Sequence, residues 1–483
     1  MYNTDSFTPA CFKAHGSMEL RGQTVQYDTI CEDNLFYNEA GTPVATIFSY
    51  SYFRTNGGPS AARPVIFGFN GGPGASSMMV HAGCFGARRV KYPESTTAYP
   101  TLPPYEVIDN PDCLLDIADI VMIDPISTGF GLLLDEASAK RFYGIDEDAE
   151  ALCMFIEHWL TKYGRWNSPR YLAGESYGCT RAATAASIGL SGGQDRSYHI
   201  AFDGLIFIGN TVTVTKYFNK RAPVEPAVEA FPSMAAINWY HHPHASQPLE
   251  SFVMEAADFA AGEYLAALYL GERLAGDARE EMKRKIMYYT GVSSEYLDAH
   301  DLCLERQSFC HDVLKREHKV VSIMDGRFAR ACYGPEWKDG QPGYASDAAL
   351  ERYDPLFRAA LGAAIFPSLG LAGFERSFVP SYSLGTELVS GSKWNFETAQ
   401  LVSGERLSTA MHRNPHMRAF FINGWFDLCT QTGIVWHTMA HTHLPAERTF
   451  FKGYPSGHMA YLGEENVKAV SEDIRRFILG QEM

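Results

Sequence analysis

The feature that most narrows the fold is the stretch Tyr171-Leu172-Ala173-Gly174-Glu175-Ser176-Tyr177-Gly178. It reads Gly-x-Ser-x-Gly, with a short apolar lead-in and a small-residue, helix-favouring continuation from Cys179 to Ala186. This is the sequence form of a nucleophile elbow: a buried strand ends, the chain turns sharply into a helix, and one serine is held at the apex. Both glycines are needed because a side chain on either flank would collide with the strand or helix crowding the turn. The pentapeptide is short and its residue types are common, so the rest of the chain decides what the serine is for.

At 483 residues the chain exceeds one ordinary core, which predicts a large domain with an insertion, or two domains. Hydrophobic content of 46% with 20% charged residues fits a soluble globular protein. A net charge of -15 argues against a nucleic-acid partner, which would need a clustered basic patch. No run of 18 apolar residues exists, so no membrane helix is expected. The first twenty residues carry neither a basic n-region nor an apolar h-region, so a cytoplasmic location is expected, with export left open. Ten cysteines are scattered from Cys11 to Cys429 without a Cys-x-x-Cys pair, which suggests reduced thiols and no zinc or redox motif.

Along the chain, residues 18 to 56 alternate in polarity around a turn at Glu39 to Pro43, predicting antiparallel strands joined by hairpins. The buried run Val65 to Phe69 stops at Asn70-Gly71-Gly72-Pro73-Gly74-Ala75-Ser76-Ser77, a loop whose backbone amides are accessible enough to face an anion. A second apolar run, Ile120 to Ile123, ends at Asp124-Pro125. Leu152, Phe155, Ile156, Trp159, Leu160 and Tyr163 fall at helical spacing between 146 and 163, with acids at the front to suit the dipole. The elbow follows, and then the run Leu205 to Ile208. Such alternation predicts an α/β fold with a mostly parallel central sheet flanked by helices.

From 212 to 400 helical patterns dominate, read as an inserted, largely helical cap between core parts 18–211 and 401–483. Loop-like pieces such as Gly334 to Gly343 interrupt it, and Asp325-Gly326-Arg327-Phe328 reads as a turn in or near it. His241-His242-Pro243-His244 lacks partners at metal-ligand spacing and reads as a solvated loop. His437, His441 and His443 read as a helix surface, so no metal or cofactor is expected.

The sheet resumes at Ala419 to Ile422 and at Arg448 to Phe451, and each run ends in a chemically useful residue. Asp427 lies just past the first and His458 just past the second. A serine hydroxyl becomes nucleophilic when a neutral imidazole takes its proton and an acid orients that ring. The chain order Ser176, Asp427, His458 is that of α/β-hydrolases.

Asn70 to Ser77 together with Gly174 to Gly178 resembles the serine carboxypeptidases, and Asp124-Pro125, Ile208-Gly209-Asn210, Asn423-Gly424, Asp427 and Gly457-His458-Met459 fall where that family places them. The resemblance spans about 40–215 and 410–480 and looks closer to the bacterial branch. It implies Ser176 as nucleophile, His458 as base and Asp427 as its orienter, with an oxyanion hole from the N–H groups of Gly72 and Tyr177. It also implies Asn70, Gly71 and Glu175 as binders of a substrate carboxylate, and hence a peptide partner with a free C-terminus. Many members carry Trp and Cys where this chain has Gly68 and Ala75, and the missing Cys removes a family disulfide. An acyltransferase, esterase or amidase using the same triad is the alternative, and a non-catalytic binding protein is a third reading. Oligomeric state is not readable from the sequence.

Overall fold

Successive side chains of a strand point to opposite faces, so runs that are apolar at every position must be covered on both sides. That is the case in the computed structural model of the chain, which describes all residues except 1–6, 59, 100–101, 194–195, 215–223, 243–246, 333–346, 382–393 and 397–401. The main sheet contains β1 (Cys11–Leu20), β2 (Gln23–Tyr37), β3 (Pro43–Arg54), β4 (Val65–Phe69), β5 (Asp119–Asp124), β6 (Arg170–Glu175), β7 (Gly204–Ile208), β8 (Arg418–Gly424) and β9 (Thr449–Tyr454). Their order is β1-β2-β3-β5-β4-β6-β7-β8-β9, and the short strand Leu132–Leu133 pairs with β3. Every pairing from β5 to β9 is parallel, whereas β1, β2 and β3 join antiparallel.

Two apolar clusters sandwich this sheet. Val65, Phe67, Leu172, Leu205, Phe207, Ala419 and Phe421 face one cluster, with α1 (Ile145–Lys162), α2 (Tyr177–Ser191) and, later in the chain, the helix Ser403–Arg413. Ile66, Tyr171, Ala173, Ile206, Ile208, Phe420 and Ile422 face the other, with the closing helix Glu464–Ile478. The acids that open α1 do more than suit its dipole, since Asp148 pairs with Arg181 at 2.6 Å and Asp146 with Arg406 at 2.5 Å.

The first strand begins at Cys11, before the alternation visible from 18, because it is an edge strand whose outer face stays exposed. The stretch 212–400 divides between two cores. Val224 to Cys332, opened by α3 (Val224–His241), builds a third cluster with Trp425, Phe426 and Leu428 from the loop after β8. It includes a small hairpin, Lys319–Val321 with Ala329–Ala331, where a helical cap was expected to lack strands. The segment 347–381 returns to the main core, where Phe366 meets Phe130 at 5.1 Å between ring centres and Tyr353 and Phe357 are buried. The loop 334–343 and His244 lie outside the described residues. Among those described, no disulfide forms and no helix is long and apolar enough to cross a membrane.

The lower end of the sheet is pinned by charge. Asp119 accepts from Arg165 at 2.6 Å and Arg63 at 3.1 Å, with all three side chains buried. Removing the acid of such a group leaves buried guanidinium charges without their counter-charge, at about 3–5 kcal/mol. Asp119→Ala is therefore expected to lower the unfolding free energy in urea by about that amount, and a midpoint within error of wild type would contradict the role given to this network.

Candidate active site

Ser176 adopts φ 58° and ψ -130°, a left-handed conformation that is costly for a side-chain-bearing residue. The turn is held by Ser176 N donating to Ile208 O at 2.9 Å and by Cys179 N and Thr211 Oγ1 donating to Ser176 O at 2.8 and 2.7 Å. A Cβ on Gly174 would lie 2.2 Å from Gly178 O, so strand and helix backbones touch directly below the serine.

The glycine-rich loop after β4 presses on this turn from the side. A Cβ on Gly71 would sit 2.4 Å from Tyr177 N and 2.7 Å from Glu175 O. Gly72 follows at φ 101°, and Tyr177 is the first residue of α2, at the positive end of the helix. Asn70 is held from three sides. Its Oδ1 accepts from Val80 N at 3.1 Å, its Nδ2 donates to Glu175 Oε1 at 2.5 Å, and its carbonyl accepts from Arg181 at 2.7 Å. Farther along, Asp124 takes both Ser77 N and Oγ at 2.8 and 2.9 Å together with the Tyr50 hydroxyl at 2.8 Å, tying the loop to β5 and β3.

Asp427 and His458 meet beyond β8 and β9. His458 Nδ1 stands 2.9 Å from Asp427 Oδ2. Asp427 is fully buried, and it accepts from Cys429 N and Thr430 N at Oδ1 (2.7 and 2.9 Å) and from Thr430 Oγ1 at Oδ2 (2.6 Å). The imidazole packs on Gly209, where a Cβ would come within 2.9 Å of Nδ1 and Cε1. Burial disfavours the charged ring, but Asp427, its hydrogen bond, and the charges of Glu175 and Asp347 outweigh it and raise the His458 pKa. A ring oriented through Nδ1 presents Nε2 as the base.

Glu175 is 2% exposed, and burial pushes its pKa up to about 7 against the opposing pull of His458 and of hydrogen bonds from Tyr461 and Asn70. The Tyr461 hydroxyl donates to Glu175 Oε2 at 2.6 Å. All eight residues singled out in the sequence, Ser176, Asp427, His458, Gly72, Tyr177, Asn70, Gly71 and Glu175, thus sit at or just past the C-terminal ends of four strands, β4, β6, β8 and β9. Thr430 and Tyr461 carry no sequence signal of their own beyond lying close to Asp427 and His458.

One histidine of the run read as a solvated loop, and one of those read as a helix surface, are engaged by distant residues. His241 Nε2 donates to Gly326 O at 2.7 Å, and His437 Nδ1 stands 2.6 Å from Glu229 Oε1 on α3. Each faces a residue remote in sequence, which spacing alone does not register.

A family model for the serine carboxypeptidases matches residues 40–297. The chain belongs to that family. As a serine carboxypeptidase it is a hydrolase acting on peptides, and its sheet is that of the α/β-hydrolase fold. Among solved structures it is similar to a prohormone-processing carboxypeptidase from Saccharomyces cerevisiae, at 13% identity and TM-score 0.55 over 94% of this chain and 92% of that one. Weaker likenesses include a thermostable carboxyl esterase from Bacillus coagulans (10% identity, TM-score 0.38, 93% and 98% covered) and a proline iminopeptidase from Mycobacterium smegmatis (13%, 0.37, 93% and 99%). No curated protein sequence matches the chain.

Because Gly71 leaves no space for a methyl group, Gly71→Ala must push the loop off the elbow. A misplacement of about 1 Å costs on the order of 10²-fold in rate, so peptide turnover by this variant is expected to fall by that factor with unchanged far-UV circular dichroism. Wild-type turnover would mean that this contact does not set the site.

Proposed function

We propose that the protein removes C-terminal residues from peptides through an acyl-enzyme on Ser176. His458 takes the hydroxyl proton as Ser176 Oγ attacks the scissile carbonyl, then gives it to the leaving amine. Asp427 fixes the tautomer and stabilises the imidazolium. The N–H groups of Gly72 and Tyr177 would receive the oxyanion, each worth on the order of 10²-fold or more in rate. Water activated by His458 then releases the acyl group and restores the serine.

One observation carries the choice of a carboxypeptidase over other uses of the triad: the acid–amide pair beside the nucleophile. Glu175 and Asn70 are buried and bonded to each other, and the carboxyl holds its proton up to about pH 7. In that form, with Asn70 and Gly71, it can donate to a substrate carboxylate, whereas an ionised Glu175 would repel one. Peptides with free C-termini are the substrates this reading implies, and a cytoplasmic location is proposed alongside it.

The signs are separable. Turnover needs neutral His458, so every substrate gains as pH rises through its pKa. Carboxylate binding needs protonated Glu175, so a substrate ending in a free acid loses as pH rises through about 7. Glu175 and His458 act on each other's charge, so the two limbs are best read as a ratio between substrates. Dividing kcat/KM for an N-blocked dipeptide acid by that for its amide removes the shared histidine limb. This ratio is expected to fall between about pH 5 and 8 in wild type and to be flat in Glu175→Gln. Equal turnover of acid and amide at every pH would instead point to an esterase, amidase or acyltransferase.

A further inference from the structure

We propose that Arg327, delivered by the insertion, is a positioning residue that holds the His458 loop in register with the Asp427 loop; the inference rests on the triad reading above. The segment Ser322 to Phe328 runs between the two loops. On the Asp427 side, Leu428 N donates to Ile323 O at 3.0 Å and Gly326 N to Phe426 O at 2.9 Å. On the other side, His458 N donates to Met324 O at 2.7 Å. The catalytic histidine thus has its own backbone bonded to the insertion.

Arg327 joins both sides at side-chain level. Its Nη1 donates to Pro455 O at 2.7 Å and its Nη2 to Ser456 Oγ at 3.1 Å, the two residues that lead into Gly457-His458. Its guanidinium lies 5.6 Å from the ring centre of Phe426, the neighbour of Asp427. Asp325 fixes the fork from behind, accepting from Nε at 2.9 Å and Nη2 at 2.6 Å, and it is fully buried. A Cβ on Gly457 would come 2.3 Å from Asp325 Cβ, so the loop closes directly on this pair. His241 at the end of α3 holds Gly326 in turn.

A planar guanidinium can hold two acceptors on one loop, stack on the other, and remain seated on a carboxylate. A lysine supplies one point charge and cannot do all three. Nothing in Arg327 touches the reacting serine, so its loss should act on the chemical step through the histidine and leave substrate binding intact.

The test is kinetic. Arg327→Gln is expected to lower kcat on the order of 10²-fold with KM little changed, and Arg327→Lys to fall between it and wild type. In Arg327→Ala, guanidinium ion added far below denaturing concentration is expected to raise kcat, because the vacated space is shaped for it, with no such rise in wild type. Wild-type kcat in Arg327→Gln with only a lowered unfolding midpoint would overturn the proposal, as would an Arg327→Ala enzyme that stays folded and ignores guanidinium. Should the alanine and glutamine variants fail to fold, Arg327→Lys decides: lower kcat at unchanged KM supports the role, and wild-type kcat refutes it. Ser176→Ala reads the triad alone, so an irrelevant arginine in a valid triad is told apart from a failed triad.

Discussion

Backbone lies against backbone where Gly71 meets the elbow. With a Cβ on Gly71 falling only 2.4 Å from Tyr177 N and Gly174 pressed on Gly178, no side chain separates the glycine-rich loop, the end of β6 and the start of α2. This contact turns the C-terminal ends of two parallel strands into one rigid surface carrying the serine. It also leaves Ser176 in a conformation with φ 58°, which persists only because neighbouring bonds over-determine it. The remaining loops add chemistry to this platform without building it.

Three buried carboxyls around the platform differ in the donors they face. Asp427 is surrounded by Cys429 N, Thr430 N, Thr430 Oγ1 and the imidazole, which hold it in place beside the histidine. Asp124 is equally buried, and its bonds from Ser77, Tyr50 and Phe130 leave it at about 6, where it anchors the loop. Glu175 has His458, Tyr461 and Asn70 to offset burial and stands at about 7. A carboxyl that orients a base and a carboxyl that can still give a proton thus coexist in one site.

Much of this was legible in the chain. The elbow, the buried runs of β4, β5, β7 and β8, helix α1 and the order Ser176, Asp427, His458 depend on local periodicity and on residues next to strand ends, which sequence displays. What escaped depends on long-range contact. Asp325 to Phe328 looks like an ordinary turn until the loops around Asp427 and His458 close on it. The segment 347–381 has the same helical pattern as the rest of the insertion, and only its docking against Phe130 and Tyr50 assigns it to the main core. Thr430 and Tyr461 are common residue types whose value arises from what the fold places beside them.

The central claim is that Ser176 carries the acyl group. Rapid acid quench during turnover of an activated ester of an N-blocked amino acid, followed by mass spectrometry of the digested protein, tests it directly. The account predicts an acyl adduct on the fragment containing Ser176 that disappears as substrate is exhausted. An active, folded enzyme whose adduct maps to another residue, or that shows none while an activated ester is turned over in a burst, would contradict it.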